Sequence, residues 1–369
     1  MTATTPTTVT AKTASAPGAG SQEIRLTSLA HGGGCGCKIE PAVLSEILAR
    51  MPAGIVPKEL LVGTETSDDA AVYRLNDQQA LVATTDFFMP VVDDPYEFGR
   101  IAATNAISDI YAMGAKPILA LALVGMPVNV LPAQTIARIL EGGQSVCTAA
   151  GIPIAGGHTI DSVEPIYGLV ALGIAHPDHI RRNRDAREGD VLILGKGLGV
   201  GIYSAAFKKE QLPAPLYEQM IRSTTQLNTV GAVLGEQSDV HALTDITGFG
   251  LAGHLLEIAR GSNLDVQVDY AKLPVLPGVD ELIAQGLFTG ASTRNWNGYG
   301  HDVVLDARLP ESAKILLSDP QTSGGLLACV APDAAATVLR QFHDAGFEYA
   351  SVIGSMVVRG DARPKVRVA

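Results

Sequence analysis

Tryptophan occurs once in 369 residues, cysteine four times, and aromatic side chains make up only 5% of the chain. So few cysteines, with Cys147 and Cys329 alone in apolar segments and Cys35 and Cys37 one residue apart, exclude a disulfide framework. No apolar run reaches the roughly 18 residues that a membrane span needs, although 47% of residues are hydrophobic. Basic residues are outnumbered, 27 against 38 acidic ones, and a net charge of −11 opposes binding to a nucleic acid backbone. The N-terminus has neither a basic stretch nor an apolar one, so no export signal is read and a reducing, cytoplasmic setting with free thiols is expected. The chain is long enough for two domains.

What is present is organised. Residues 1–22 are mostly Thr, Ala, Pro, Ser and Gly and predict a disordered tail. They run into His31-Gly-Gly-Gly-Cys-Gly-Cys-Lys38, read as a mobile flap over 23–40 because glycine favours neither helix nor strand. A helical pattern from Pro41 (Val43, Leu44, Ile47, Leu48) precedes strands near Ala70–Tyr73 and Ala80–Thr85. Phe98–Met113 reads as a helix closed by Gly114, and Pro117–Val124 and Ile166–Ala175 as strands. The charged stretch between His179 and Asp190 reads as a connection, separating an N-terminal domain, 41–180, from a C-terminal domain, 188–369. In the second half strands are expected at Val191–Leu194, Ala242–Ile246, Val266–Val268 and Leu326–Val330. Helices are expected near Gly201–Lys209, over Tyr217–Leu234, from Leu251, and over Ala334–Ala345. The fold class is α+β.

Several segments could carry chemistry. Lys38 stands three residues from Cys35, a placement that favours a thiolate; the competing reading is an idle surface loop. Zinc needs more ligands than His31 and two cysteines supply. Asp68, Asp69 and Asp86 sit at strand ends, and Asp109 shares a helix face with Asn105; each singly reads as a cap or turn residue, but together they suit Mg²⁺. Gly156-Gly157-His158-Thr159 reads either as a plain turn or as backbone that approaches phosphate. No Gly-x-x-x-x-Gly-Lys-Ser/Thr is present, which excludes a P-loop. Gly248-Phe-Gly-Leu-Ala-Gly253 matches the dinucleotide fingerprint and makes a nicotinamide-dependent oxidoreductase the alternative. Asp319-Pro-Gln-Thr-Ser-Gly-Gly325 reads as a turn.

Seven runs, in order, resemble the motifs of the selenophosphate synthetases. They are His31–Lys38, Thr66–Ala71, Thr84–Pro90, Thr104–Asp109, Gly156–Thr159, Thr244–Gly250 and Asp319–Gly325. The resemblance implies a two-domain fold like that of aminoimidazole ribonucleotide synthetase and a homodimer whose N-terminal sheets pair. It also implies the reaction of ATP, selenide and water to selenophosphate, AMP and phosphate. Under it Cys35 and Lys38 are the catalytic pair, with Lys38 also on the phosphates. Asp69, Asp86, Asp109 and Asp245 hold Mg²⁺. Thr66, Ser67, Asp68, Asp86, Asp109, Gly157, His158 and Thr159 contact the nucleotide. A selenium-delivery protein is a further implied partner, and a selenium carrier without catalysis is the reading to be distinguished.

Overall fold

The computed structural model describes residues 24–39, 54–64 and 67–369, with 43, 44, 46, 47, 50 and 52 between them. The expected tail and most of the helical pattern from Pro41 lie outside the described residues, as does Thr66. Two sheets organise the rest. The first has six strands, β1 (Leu60–Val62), β2 (Ala71–Arg74), β3 (Ala80–Phe88), β4 (Lys116–Met126), β5 (Ile154–Asp161) and β6 (Ile166–Ala175), in the order β1-β2-β3-β6-β4-β5. The second has seven: β7 (Val191–Leu194), β8 (Val240–Asp245), β9 (Asp265–Val268), β10 (Val303–Leu305), β11 (Leu326–Val330), β12 (Ser351–Val357) and β13 (Val366–Val368). Their order is β10-β13-β9-β12-β7-β11-β8.

Helix α1 (Pro95–Ala112) packs against β3 and β6 on one side and reaches β8 of the other sheet. Asp94 caps it, accepting from the Glu97 amide at 2.9 Å, and Pro95 at its first position needs no hydrogen-bond partner there. Every residue from Ile101 to Ala112 is buried, so this stretch shows no face to solvent; small alanines let protein close around it. Against it lies α2 (Ala133–Ala149), an element with no counterpart in the sequence reading. Their crossing is made by glycines. A Cβ on Gly99 would stand 1.9 Å from the Ile139 carbonyl oxygen, and one on Gly142 2.0 Å from that of Tyr96.

In the second half α3 (Val200–Lys208) follows β7, and α4 (Ala214–Thr224) follows α3. The single helix expected over Tyr217–Leu234 is broken. Thr224 and Thr225 turn their hydroxyls back onto the Met220 and Ile221 carbonyls, and Asn228 spends its amide on Ser108 and the Gly324 carbonyl instead of continuing a helix. Helix α5 (Gly250–Ser262) follows β8, and α6 (Gly290–Tyr299) packs beside it. Gly156–Thr159 is also a correction: it lies inside β5, paired with β4, and is no turn.

Candidate active site

The site forms where the two sheets face each other across α1. Asp69 stands just before β2, Asp109 in the last turns of α1, and Asp245 at the end of β8. Oxygens of these three carboxylates lie within 4.8 Å of one another. Thr84 donates to Asp109 at 2.5 Å and Thr244 to Asp69 at 2.9 Å. Even so, Asp69 Oδ2 and Asp245 Oδ2 are buried with no partner among the described residues. Burial first, then mutual repulsion, pushes the carboxyls of Asp69 and Asp109 well above the usual range; burial also raises that of Asp245. Three adjoining carboxylates, two of them with an unsatisfied buried oxygen, fit a divalent cation, which repays their desolvation.

The fourth aspartate takes another position. Asp86, late in β3, meets Lys38 Nζ at 3.6 Å and accepts from Asn105 Nδ2 at 2.6 Å. Asn105 is the hub that the sequence shows only as a neighbour of Asp109 on the helix. Its Oδ1 accepts from Cys35 Sγ at 3.1 Å and from the Ser323 amide at 2.7 Å. An acceptor-only carboxylate on one side and a backbone N–H on the other leave its amide a single orientation, carbonyl toward the thiol.

The glycine-rich loop is docked over this hub. Gly34–Cys37 forms a 3₁₀ turn, and the Gly34 amide donates to the Met89 carbonyl at 3.0 Å. The Cys35 amide donates to Thr322 Oγ1 at 3.1 Å, and Arg294 donates to the Gly36 carbonyl at 3.2 Å. Thr27 and Arg25 anchor the base of the loop on Asp93 through bonds of 2.6–2.9 Å. Cys35 is 1% exposed. The expected thiolate is not what this arrangement favours: burial and then Asp86 push its thiol up, and Lys38 only partly offsets them. Lys38 itself is pushed up, chiefly by Asp86, and carries its charge. A cavity of about 350 Å³ opens beside Cys35, Lys38, Asp86 and Phe87.

The 319–325 segment, read as a turn, is a second clasp. Asp319 accepts from the Gly201 amide at 3.0 Å at the start of α3, while Thr322 and Ser323 hold the loop cysteine and Asn105. Its Asp-x-x-Thr-Ser spacing is the signal that could have announced this.

Other expected residues lie apart. Ser67 (φ 52°) and Asp68 hold the buried Asn183: its side chain donates to the Ser67 carbonyl at 3.1 Å and its amide to Asp68 at 2.7 Å. Gly157, His158 and Thr159 are exposed on β5, the sheet edge, paired with Ala122, Leu123 and Val124. Three strand spacings, about 14 Å, separate that edge from β3.

The dinucleotide fingerprint is overturned by topology. A βαβ unit needs adjacent parallel strands, whereas β8 is an edge strand paired antiparallel with β11, and β9 lies four places away. The glycines have other tasks. A Cβ on Gly248 would stand 2.7 Å from the Cys35 carbonyl oxygen, and Gly250 takes φ +70° beneath Ser318.

Comparison with known proteins accounts for both halves. Residues 67–175 match the AIR synthase related protein N-terminal domain, and residues 187–367 the C-terminal domain. The chain is 65% identical over 345 residues to the selenide, water dikinase of Burkholderia ambifaria (strain MC40-6), covering 94% of this chain and 97% of that one. It is 58% identical over 342 residues to that of Rhizobium meliloti (strain 1021), covering 93% and 98%. Thiamine monophosphate kinase from Aquifex aeolicus shares the fold at TM-score 0.62 and 17% identity, over 89% of this chain and 96% of that one. Hydrogenase maturation protein HypE in complex with ATP does so at 0.60 and 20%, over 82% and 86%. With both domains matched and curated relatives aligned along nearly their whole length, the chain belongs to the selenide, water dikinase family, built on the paired AIR synthase related domains.

Proposed function

We propose that this chain is a selenophosphate synthetase, converting ATP, selenide and water to selenophosphate, AMP and phosphate. The observation that carries the reading is a loop thiol held by Asn105 and a charged lysine held by Asp86, which Asn105 also bonds, beside a carboxylate trio. Asp69, Asp109 and Asp245, with Asp86 next to them, would hold Mg²⁺, which when bound neutralises charge on the phosphate oxygens. Phosphoryl transfer otherwise asks for positioning. The Lys38 ammonium, fixed by Asp86, draws charge from the terminal phosphate. The docked loop covers the acceptor and excludes water, and Cys35 holds selenide in line through its thiol. Ser67 and Asp68 directly precede Asp69 and contact the nucleotide from there, and Thr66 is assigned as a further nucleotide contact.

Gly157, His158 and Thr159 do not reach the aspartates of their own copy. A homodimer with paired N-terminal sheets gives them a role as nucleotide contacts, and the exposed Ile160 on the same edge supports such a contact. A selenium carrier needs no carboxylate trio, which favours catalysis over storage. Among the described residues no helix is long and apolar enough to cross a membrane, and we place the enzyme, and any protein delivering selenium to it, in the cytoplasm. Anaerobic incubation with ATP, Mg²⁺ and selenide tests the reading: AMP should form only when selenide is present. ADP as the final nucleotide product would refute it.

A further inference from the structure

We propose that a cavity in the C-terminal half, apart from the aspartates, binds a small oxyanion of the phosphate class. The cavity holds about 260 Å³, and three of its wall residues are polar and almost fully buried: Lys196 at 3% exposure, Gln219 at 6% and Ser223 at 6%. Lys196 follows β7 by one glycine. Its ammonium meets only backbone carbonyls, Gln226 at 2.7 Å and Ser323 at 2.9 Å, and no carboxylate pairs with it among the described residues. Burial lowers it to about 7, the charge of Asp245 offsetting part of the shift, and a bound anion would hold it protonated.

Gln219 and Ser223 stand four residues apart on one face of α4. Arg222 at the rim donates to the Gln219 carbonyl, leaving the Gln219 amide N–H₂ and the Ser223 hydroxyl without a partner among the described residues. The wall therefore offers an ammonium, an amide, a hydroxyl and a guanidinium. The acidic side chain of the lining, Glu348, sits 3.8 Å from Arg222 and is 63% exposed. A cluster of buried donors short of acceptors is stabilised by a ligand that only accepts and carries negative charge. Orthophosphate has that chemistry, and so does the phosphate end of a phosphomonoester such as AMP. The claim rests on the wall itself; only the choice of probes rests on the proposed reaction, which releases both.

Isothermal titration of the full chain, with Mg²⁺ and a non-hydrolysable ATP analogue filling the nucleotide site, tests it. Orthophosphate and AMP are titrated separately. Saturable binding of orthophosphate at least as tight as that of AMP identifies the free anion, and tighter binding of AMP identifies a phosphomonoester. Gln219→Glu, nearly isosteric, should weaken either ligand at least tenfold, and Ser223→Ala about threefold. Retained analogue affinity serves as the fold control for both variants. No saturable heat from either probe up to about 10 mM, enough to fill a site of about 1 mM Kd, would overturn the site. So would unchanged affinity in Gln219→Glu. Neither result bears on AMP formation, so the proposed activity stands or falls separately.

Discussion

At the level of single residues, Asn105 positions Cys35. Its carbonyl faces Sγ, and burial next to Asp86 keeps the thiol protonated while the loop is docked. Cys35→Ser should therefore lose selenide-dependent AMP formation by about 100-fold or more while still binding ATP with Mg²⁺. Cys37→Ser should be milder, since its half-buried thiol touches none of the aspartates. Lys38→Ala should lose turnover by about 10²–10³-fold through the missing charge at the phosphates. Rates and nucleotide affinities of the three variants decide the ranking, and inactivity confined to Cys37→Ser would reverse it. The carboxylates carry a pH signature of unusual sign. Because the native carboxyls of Asp69, Asp109 and Asp245 titrate above their unfolded values, the native state keeps protons that the unfolded chain has released. Metal-free protein should lose stability as pH rises from about 4 through the raised native values. Asp109→Asn removes one of the opposed charges. It should melt about 2 °C or more above wild type at pH 8 without metal, gain less from Mg²⁺, and turn over far more slowly. A lower melting temperature without metal would show the trio to be satisfied as it stands.

Among elements, the loop and the 319–325 segment that receives it matter most. Gly34 takes φ +56°, and a Cβ there would stand 2.3 Å from Thr322 Oγ1. Gly34→Ala should unseat the loop without touching the aspartates. Alkylation of Cys35 by iodoacetamide should then speed up several-fold; an unchanged rate would mean that docking does not protect the thiol. The period-two and helical patterns placed β3, β6, β7, β11 and α1 well, because local hydrophobic spacing dictates those elements. They missed α2, whose Gly142 serves a helix crossing and whose Gly143 makes room for Tyr167 of β6, contacts that only tertiary structure reveals. They also joined Ala214–Thr224 to Val230–Leu234, since the break is imposed by Asn228 and Lys196 contacts distant in sequence. Of the site, Asp69, Asp109, Asp245, Cys35 and Lys38 were legible from motif resemblance. The contacts that bring Asn105, Thr322 and Ser323 together with the loop were not, because they span a hundred residues or more.

For the whole molecule, α1 is what unites the two sheets: it carries Asn105 and Asp109 and meets β8, which ends in Asp245. The edge strand β5 lies on the far margin of the first sheet, with Ile160 57% and Val163 93% exposed. An apolar edge of this kind pairs with another copy or invites aggregation. Under the proposed homodimer the wild type sediments as a dimer and Ile160→Lys as a monomer with reduced turnover; a fully active monomer would remove the partner copy from the site. The central claim, that loop, lysine and carboxylate trio together phosphorylate selenide, meets its most direct test in anaerobic ³¹P NMR of ATP, Mg²⁺ and selenide with wild-type protein. Selenophosphate, AMP and orthophosphate should appear in equal amounts, and none of them with Cys35→Ser. AMP and phosphate accumulating without a selenium-bonded phosphorus signal, or at the same rate without selenide, would contradict that claim.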